Sequence, residues 1–285
     1  MTGTRIFSSS ARGTTRGRAP TRAAQQPPGP AYRPAGRRRH IPRWRTTDGG
    51  HDEGGIPLYV HPGTNSRAWA ALSADDQPVS WVVVNQNSGP GSPEDTVLTA
   101  AAKAVGSGAV LCGYIEHNYG AVLDFDMKGQ AQEWVSRGIA GAFIDRVSSD
   151  AADVQDVART VLHLREAGIA YVVLNCGTVP APAVVDLADV VVTFEGSMAA
   201  YRALTLPDWL TALQPERTAH LIYEAAADEA VEAVGLARRR GCHHVYATSA
   251  TFASGNPWST LPDYWPRTVA ALTRYPSRST HVWPR

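Results

Sequence analysis

The feature of this sequence that most constrains its fold is a regular alternation, from Gly55 onward, of short β-branched runs with longer alanine-rich segments. Eight of the runs have the length and composition of buried strands. Nearly continuous apolar strands that alternate with helices indicate a parallel sheet covered on both faces. The runs are IPLYVHP (56–62), VSWVVVNQNSG (79–89), AVLCGYIEH (109–117), IAGAFIDRV (139–147), IAYVVLNCG (169–177), DVVVTFEGS (189–197), TAHLIYEAA (218–226) and HHVYATS (243–249).

Eight strand–helix units in a chain of 285 residues predict a closed (β/α)8 barrel, the TIM barrel of the α/β class. Several of the helical segments begin with Ser, Asp or Pro and end with Gly, as capped helices do. A doubly wound open sheet is the alternative. No GxGxxG or P-loop motif follows the first strand, which removes the commonest reason to prefer it. We therefore predict one barrel domain over residues 55–285.

Residues 1–54 have a different composition. The first 50 residues hold 11 of the 27 basic residues and one of the 26 acidic residues, so the remainder of the chain is acidic. The segment is rich in Arg, Pro, Gly, Ser and Thr and has no apolar periodicity, which predicts a disordered basic tail. Its GRRRH run could contact nucleic acid, but a solvated tail is the simpler interpretation, and we do not expect a nucleic-acid partner.

Several functional classes are disfavoured by the sequence. No apolar run approaches the roughly 18 residues of a membrane helix, so we expect no membrane contact. The chain as written shows no apolar signal core ahead of Ile56, which on its own predicts a cytoplasmic protein. Cys112, Cys176 and Cys242 are far apart and lie in apolar runs, which predicts buried thiols rather than a disulfide framework or a zinc site. We expect no cofactor and no metal.

Polar side chains stand where the predicted strands end. In a (β/α)8 barrel the chemistry lies at the carboxyl ends of the strands. A single Asn or Tyr there is often only a hydrogen-bonding partner, whereas a carboxylate that ends an apolar strand needs a partner or a function, because burying a lone charge is costly. The candidate site residues are Tyr59, His61, Asn85, Asn87, Tyr114, Glu116, Asp145, Asn175, Glu195, Tyr223 and Glu224.

Asp145 and Glu195 end strands four and six, which place them across the barrel mouth from each other. Two carboxylates facing one cleft are the minimum equipment for glycoside hydrolysis, and the other nine candidates would line the substrate cleft. Tyrosine, tryptophan and asparagine suit a sugar, which has apolar C–H faces and many hydroxyls. Aldolases and isomerases use such mouths as well. A divalent ion on Asp145, Glu195, Glu116 and His117 is a further alternative, although no HxH or HxxxH pair supports it.

Seven segments together resemble the spherulation-specific family 4, or spherulin 4-like, proteins over about residues 55–272. The NQNSGPG turn and the late NPWSTLPDYW segment are the most specific of them. The resemblance implies a (β/α)8 glycoside hydrolase of family 135 that cleaves an amino-sugar polysaccharide such as galactosaminogalactan. Since such polymers lie outside the cell, it also implies an extracellular protein, against the cytoplasmic location that the chain as written predicts. The segments are IPLYVHP, VVVNQNSGPG, GYIEHNYG, GAFIDRVSS, VVTFEGS, HLIYEA and GNPWSTLPDYW.

The resemblance also implies an Asp-Glu pair at the end of strand four and a Glu at the end of strand six. Asp145 and Glu195 match this pattern, but Arg146 stands where the family has the second Glu. An arginine there favours Asp145 as the nucleophile and Glu195 as the acid, with Glu116 and Glu224 as substitutes for the missing group. The alternative is a non-catalytic carbohydrate-binding barrel. In either case the expected partner is a polysaccharide; the oligomeric state is open, with a monomer as the expectation.

Overall fold

The computed structural model describes residues 52–74, 77–86, 88–92, 95–96, 98, 100, 105 and 108–274. Asn87 and all but the last three residues of the predicted basic tail lie outside the described residues, and what the sequence predicts for them stays a prediction.

All eight predicted strands form, and they pair in chain order in a single parallel sheet. Each begins or ends within a few residues of its predicted bounds, because the predicted segments include polar residues that already belong to the following loops. The strands are β1 Gly54–Leu58, β2 Val79–Val84, β3 Val110–Glu116, β4 Gly141–Asp145, β5 Tyr171–Asn175, β6 Val190–Ser197, β7 Thr218–Tyr223 and β8 His244–Ala247.

The sheet closes on itself between β8 and the residue that precedes β1. The Glu53 backbone N–H donates to the His243 carbonyl over 3.2 Å, and the Val245 N–H donates to the Glu53 carbonyl over 3.1 Å. Glu53 and His244 thus form a parallel bridge. The predicted (β/α)8 barrel is confirmed, and the open sheet is excluded.

Helices follow the strands and cover the outside of the barrel. In α3 the apolar residues Val157, Val161 and Leu164 recur at helical spacing and are buried. None of the described helices is long and apolar enough to cross a membrane. The described helices are α1 Ser66–Leu72, α2 Asp124–Ser136, α3 Val154–Glu166, α4 Pro182–Val185, α5 Met198–Ala203, α6 Asp208–Thr211, α7 Ala227–Arg239 and α8 Trp265–Thr273.

Large side chains fill the barrel interior. The rings of Trp81 and Phe143 lie 5.9 Å apart and are fully buried. A Cβ atom on Gly55 would approach the Trp81 ring to 2.2 Å, so only glycine leaves room for the indole at this place. Because side chains two residues apart on a strand share a face, Asp145 stands directly above Phe143 at the carboxyl end. The core thus ends in a layer that carries the carboxylate.

The three cysteines lie in apolar surroundings as the sequence predicts. Cys112, Cys176 and Cys242 are all buried free thiols. Burial raises the pKa of the Cys176 and Cys242 thiols to about 12, which keeps them protonated and unreactive near neutral pH.

Candidate active site at the carboxyl end of the barrel

A cavity of about 210 Å³ opens at the carboxyl ends of the strands. Its wall combines two carboxylates, several amide and hydroxyl groups and four aromatic rings. This is the composition of a site for a polar ligand that has apolar faces. The lining residues are Tyr59, Asn85, Ser88, Tyr114, Asp145, Asn175, Glu195, Phe252, Asn256 and Trp258.

The side-chain amide of Asn175, at the end of β5, joins the two carboxylates. Its Nδ2 donates to Asp145 Oδ1 and to Glu195 Oε2, each over 2.7 Å. Its Oδ1 accepts a hydrogen bond from the Gly177 backbone N–H over 3.0 Å, which fixes the orientation of the amide. Because both bonds share one nitrogen, the two carboxylate oxygens lie no farther apart than twice 2.7 Å, about 5.4 Å.

Glu195, near the end of β6, is held in a largely buried position. Its Oε1 accepts a hydrogen bond from Trp258 Nε1 over 3.2 Å, in addition to the bond from Asn175. Burial raises the pKa of Glu195 above its usual value of 4.5, and the nearby charge of Asp145 raises it further, against the opposing effect of the two donors. The arrangement therefore favours a protonated Glu195 beside a second carboxylate.

Asp145, the last residue of β4, is oriented from two sides. Tyr114 donates its hydroxyl to Asp145 Oδ2 over 2.8 Å, and Asn175 donates to Oδ1. The Tyr59 ring packs edge-on against Tyr114 with centroids 5.4 Å apart. Burial, and then the charge of Asp145, raise the pKa of both tyrosines, so their hydroxyls remain protonated donors. These contacts fix the Asp145 carboxylate in the cavity wall.

Four cavity residues were missed by the site prediction. Ser88 follows β2, and the other three lie in the loop between β8 and α8: Phe252, Asn256 and Trp258. The Trp258 carbonyl accepts from the Tyr59 N–H over 2.7 Å, and the Trp258 N–H donates to Asn256 Oδ1 over 2.9 Å. These bonds anchor the loop over the end of β1. The sequence did carry a signal, because GNPWSTLPDYW was one of the most specific segments, but a loop residue has no strand end to reveal it.

Arg146 does not pair with the catalytic candidate that precedes it. The chain leaves β4 after Asp145, and Arg146 adopts a left-handed backbone with φ of 57°. Its side chain turns back over the rim, where Nη1 donates to Glu116 Oε1 over 2.8 Å. Of the two orientations that strand alternation leaves open, packing against the helices or folding over the loop, the structure shows the second.

Backbone strain is concentrated at this end of the barrel. The non-glycine residues with positive φ in the described part of the chain all follow the carboxyl ends of strands. Such conformations cost about 1–3 kcal/mol each and tend to occur at functional sites. The residues are Ser88 after β2, Asn118 and Tyr119 after β3, Arg146 after β4 and Glu224 after β7.

The structure brings Tyr59, Asn85, Tyr114 and Asn175 together with the two carboxylates, but other predicted residues lie outside the cavity wall. His61 Nε2 lies 2.7 Å from Asp95 Oδ2 at the rim. Tyr223 packs behind the wall, edge-on to Phe252 and Trp258. Glu116 holds Arg146, and Glu224 is exposed. Roles for Glu116 and Glu224 as substitute acids stay predictions.

The metal alternative does not match the described geometry. No three of Asp145, Glu195, Glu116 and His117 bring ligand atoms together within the described residues. His117 turns away from the mouth, and its Nε2 lies 3.4 Å from Asp156 Oδ2 of α3.

Comparison with solved structures finds the same fold elsewhere. Sph3 from Aspergillus clavatus, solved in complex with GalNAc, superimposes with a TM-score of 0.64 at 18% identity, covering 79% of this chain and 98% of that one. The N-terminal domain of a "putative aldolase" from Bacteroides vulgatus gives a TM-score of 0.38 at 11% identity, covering 77% and 79%, too low to support an argument. No curated protein matches the chain.

The family model of spherulation-specific family 4 matches residues 55–272, which span the barrel from β1 to α8 except the first residue of β1 and the last residue of α8. The match coincides with the region in which the sequence resembles this family. The chain therefore belongs to spherulation-specific family 4.

Proposed function

We propose that the protein is a glycoside hydrolase that cleaves an amino-sugar-containing polysaccharide at the carboxyl end of the barrel. The observation that carries the proposal is the Asn175 amide, which holds Asp145 and Glu195 against one cavity at 2.7 Å from each. Two carboxylates held side by side in a partly buried cavity cost stability, and such pairs cluster at functional sites; hydrolysis of a glycosidic bond requires a pair of this kind.

The two carboxylates have different roles in the proposed reaction. Glu195, whose pKa burial raises, donates its proton to the glycosidic oxygen as the bond to the anomeric carbon breaks. Asp145, oriented by Tyr114 and Asn175, attacks the anomeric carbon and forms a glycosyl ester. Glu195 then takes a proton from water, whose hydroxyl displaces Asp145 and completes the hydrolysis.

The spacing of the carboxylates supports retention of configuration. The two oxygens that share the Asn175 amide lie at most about 5.4 Å apart, which is compatible with the roughly 5–5.5 Å of retaining glycosidases. Inverting enzymes need roughly 6.5–9.5 Å, because a water molecule lies between the carboxylate and the sugar.

The cavity wall supports an amino sugar as the substrate unit. Phe252 and Trp258 offer aromatic surface, and Asn85 and Asn256 offer amide donors and acceptors for hydroxyl or acetamido groups. The Aspergillus clavatus protein of the same fold was solved with GalNAc. We therefore propose an N-acetylgalactosamine-containing polymer, with galactosaminogalactan as the first substrate to test.

The proposal is tested by following reducing-end release from galactosaminogalactan by the wild type, Asp145→Asn and Glu195→Gln. Each substitution keeps the size of the side chain and removes the acid. We expect a loss of at least about 10³-fold for each, since general acid and nucleophile contribute on that scale. NMR of the first product should show retained configuration. Equal turnover by all three proteins would refute the assignment.

Arg146 gives a specific reason to consider a non-catalytic binder as the second candidate. It stands where the family pattern has a Glu, and its charge is paired with Glu116 at the rim. A binder would retain glycan on an affinity gel without releasing product. If Arg146→Glu then gained hydrolysis, the replacement would be the cause of the missing activity.

A further inference from the structure

We propose that Glu116, Tyr119 and Arg146 form a second sugar-binding site, the rim platform, which holds the neighbouring unit of a polymeric substrate. The inference rests on the proposed function, because it extends the sugar site at Asp145 and Glu195 by one unit. It assigns a role to Arg146 that the reaction itself does not give it.

The position of the platform follows from the register of β3 and β4. Glu116 pairs directly with Asp145, and Tyr114, two residues earlier, donates to Asp145. Residues two apart on a strand share a face and are about 6.6 Å apart, so Glu116 lies one step outward from Tyr114 on the cavity side. That step is comparable to the length of one sugar unit. A polymer leaving the cavity along these strands meets Glu116 and Arg146 next.

An exposed aromatic ring completes the platform. Tyr119 has 63% of its surface exposed. The Arg146 guanidinium lies over one face of the ring, 5.4 Å from its centroid. The opposite face of the ring is available to the apolar C–H face of a sugar.

The backbone holds the ring in place at a cost. Asn118, Tyr119 and Arg146 all have positive φ, at 49°, 56° and 57°. The Tyr119 N–H donates to the Arg146 carbonyl over 2.7 Å, and the His117 N–H donates to the Asp145 carbonyl over 3.0 Å. The bulky side chains of Tyr119 and Arg146 are disfavoured in this conformation, so the loop is strained where it presents the ring. Exposure and strain are two independent observations, and a binding role accounts for both.

The chemistry of the platform selects an uncharged, hydroxyl-rich ligand. Arg146 and Glu116 neutralise each other, so a strongly anionic group gains little there. A guanidinium carries five N–H donors, and the bond from Nη1 to Glu116 Oε1 uses one of them. The remaining donors and the second Glu116 oxygen suit the hydroxyl and acetamido groups of an N-acetylated sugar.

The test is calorimetric binding to full-length Glu195→Gln, in which hydrolysis is blocked. The probes are N-acetylgalactosamine and its oligosaccharides of two to four units. We expect affinity to rise from the monosaccharide to the longer probes. Tyr119→Asn, which tolerates the left-handed backbone, should weaken tetrasaccharide binding about tenfold and leave the monosaccharide unchanged.

Two further variants distinguish the contribution of the aromatic ring from the effect of removing any exposed side chain. Tyr119→Phe keeps the ring and should bind the tetrasaccharide like its parent. Leu162→Ala removes a similarly exposed apolar side chain from α3 and should also bind like the parent. The rim platform is overturned if the saccharides bind but Tyr119→Asn behaves like Leu162→Ala. If no saccharide binds at all, the proposed function fails and the platform fails with it.

Discussion

Buried ionisable groups stand at both ends of this barrel, but they are used differently. At the carboxyl end, Asp145 and Glu195 face a cavity and are joined through one amide. At the amino end, Glu53 and two histidines lie where β8 meets the start of the barrel. The first group is open to a ligand, whereas the second is engaged by the protein itself.

The contacts at the amino end account for the histidine chemistry. Within the described residues, Glu53, His243 and His244 are the one set with ligand atoms within 4.8 Å of one another, as a cation would need. However, His244 Nε2 lies 3.0 Å from the Glu216 carbonyl and Nδ1 lies 2.7 Å from Ser80 Oγ. The first nitrogen therefore donates and the second accepts, so both are occupied. The cluster holds the barrel seam together.

The pKa of the buried glutamate is shifted in opposite directions at the two ends. Burial acts to raise the pKa of Glu53, but hydrogen bonding, chiefly to His243, outweighs it and holds the pKa below 4.5. At Glu195 burial prevails over the hydrogen bonds from Asn175 and Trp258, and the pKa is raised. The seam stabilises a charge, whereas the cavity disfavours one. The raised pKa of Glu195 therefore costs folding stability at neutral pH, whereas the lowered pKa of Glu53 contributes stability there.

The same chemical change at both ends tests the difference between them most directly. Glu53→Gln should lower the free energy of unfolding at pH 7 by about 2 kcal/mol, because it weakens charge-assisted hydrogen bonds in the seam. Glu195→Gln should leave it unchanged or raise it by up to about 1 kcal/mol, because it removes a carboxylate whose ionised form is poorly accommodated. Urea unfolding of both variants and the wild type measures the difference.

The signs follow from the pKa directions. The depressed pKa of Glu53 contributes stability that is present above 4.5 and is lost as pH falls through the folded value. The raised pKa of Glu195 contributes stability that is present below 4.5 and is lost as pH rises through the folded value. Equal destabilisation by the two substitutions would mean that the ends do not differ as argued.

A second prediction concerns the acid sensitivity of the seam. Burial lowers the pKa of His244 to about 3. Between pH 6.5 and 3 His244 is protonated in the unfolded chain but neutral in the native state. The free energy of unfolding is therefore highest above pH 6.5 and falls as pH drops. The slope is about 1.4 kcal/mol per pH unit for such a residue. His244→Gln should therefore show a shallower loss of stability from pH 6 to pH 4.5 by about that amount.

His220 provides the matched case outside the seam. Burial lowers its pKa to about 3 as well, and its Nδ1 lies 2.8 Å from the Tyr201 hydroxyl. His220→Gln should flatten the same part of the stability curve. A slope unchanged from wild type in both variants would contradict the burial argument, whatever their stability at pH 7.

The fold was predictable because the sequence repeats one physical signal eight times. Each apolar run lies at a strand buried on both faces, and polar residues such as Asp145 and Glu195 mark the strand ends. The closing contact was not predictable, because it depends on Glu53, a charged residue ahead of the first apolar run. Periodicity detects strands but not the single bridge that turns a sheet into a barrel.

The site was predictable only where it is built on strands. Tyr114, Asp145, Asn175 and Glu195 come from strand ends, and strand order alone places them together. Trp258 comes from a long loop, and the direction of the Arg146 side chain depends on a left-handed backbone that the sequence does not reveal. Strand alternation left its direction open, and the structure places it over Glu116.

The smallest expected effects come from removing one hydrogen bond at each end of the barrel. Trp258→Phe keeps an aromatic ring in the cavity but removes the donor to Glu195 Oε1. That bond lowers the pKa of Glu195, so its loss should move the basic limb of the kcat/KM profile to higher pH by about half a unit. Ser80→Ala removes the donor to His244 Nδ1 in the seam and should lower stability while leaving the profile unmoved. If Trp258→Phe leaves the basic limb where it is, Glu195 is not the group that titrates there, because removing a donor to its carboxylate must raise its pKa.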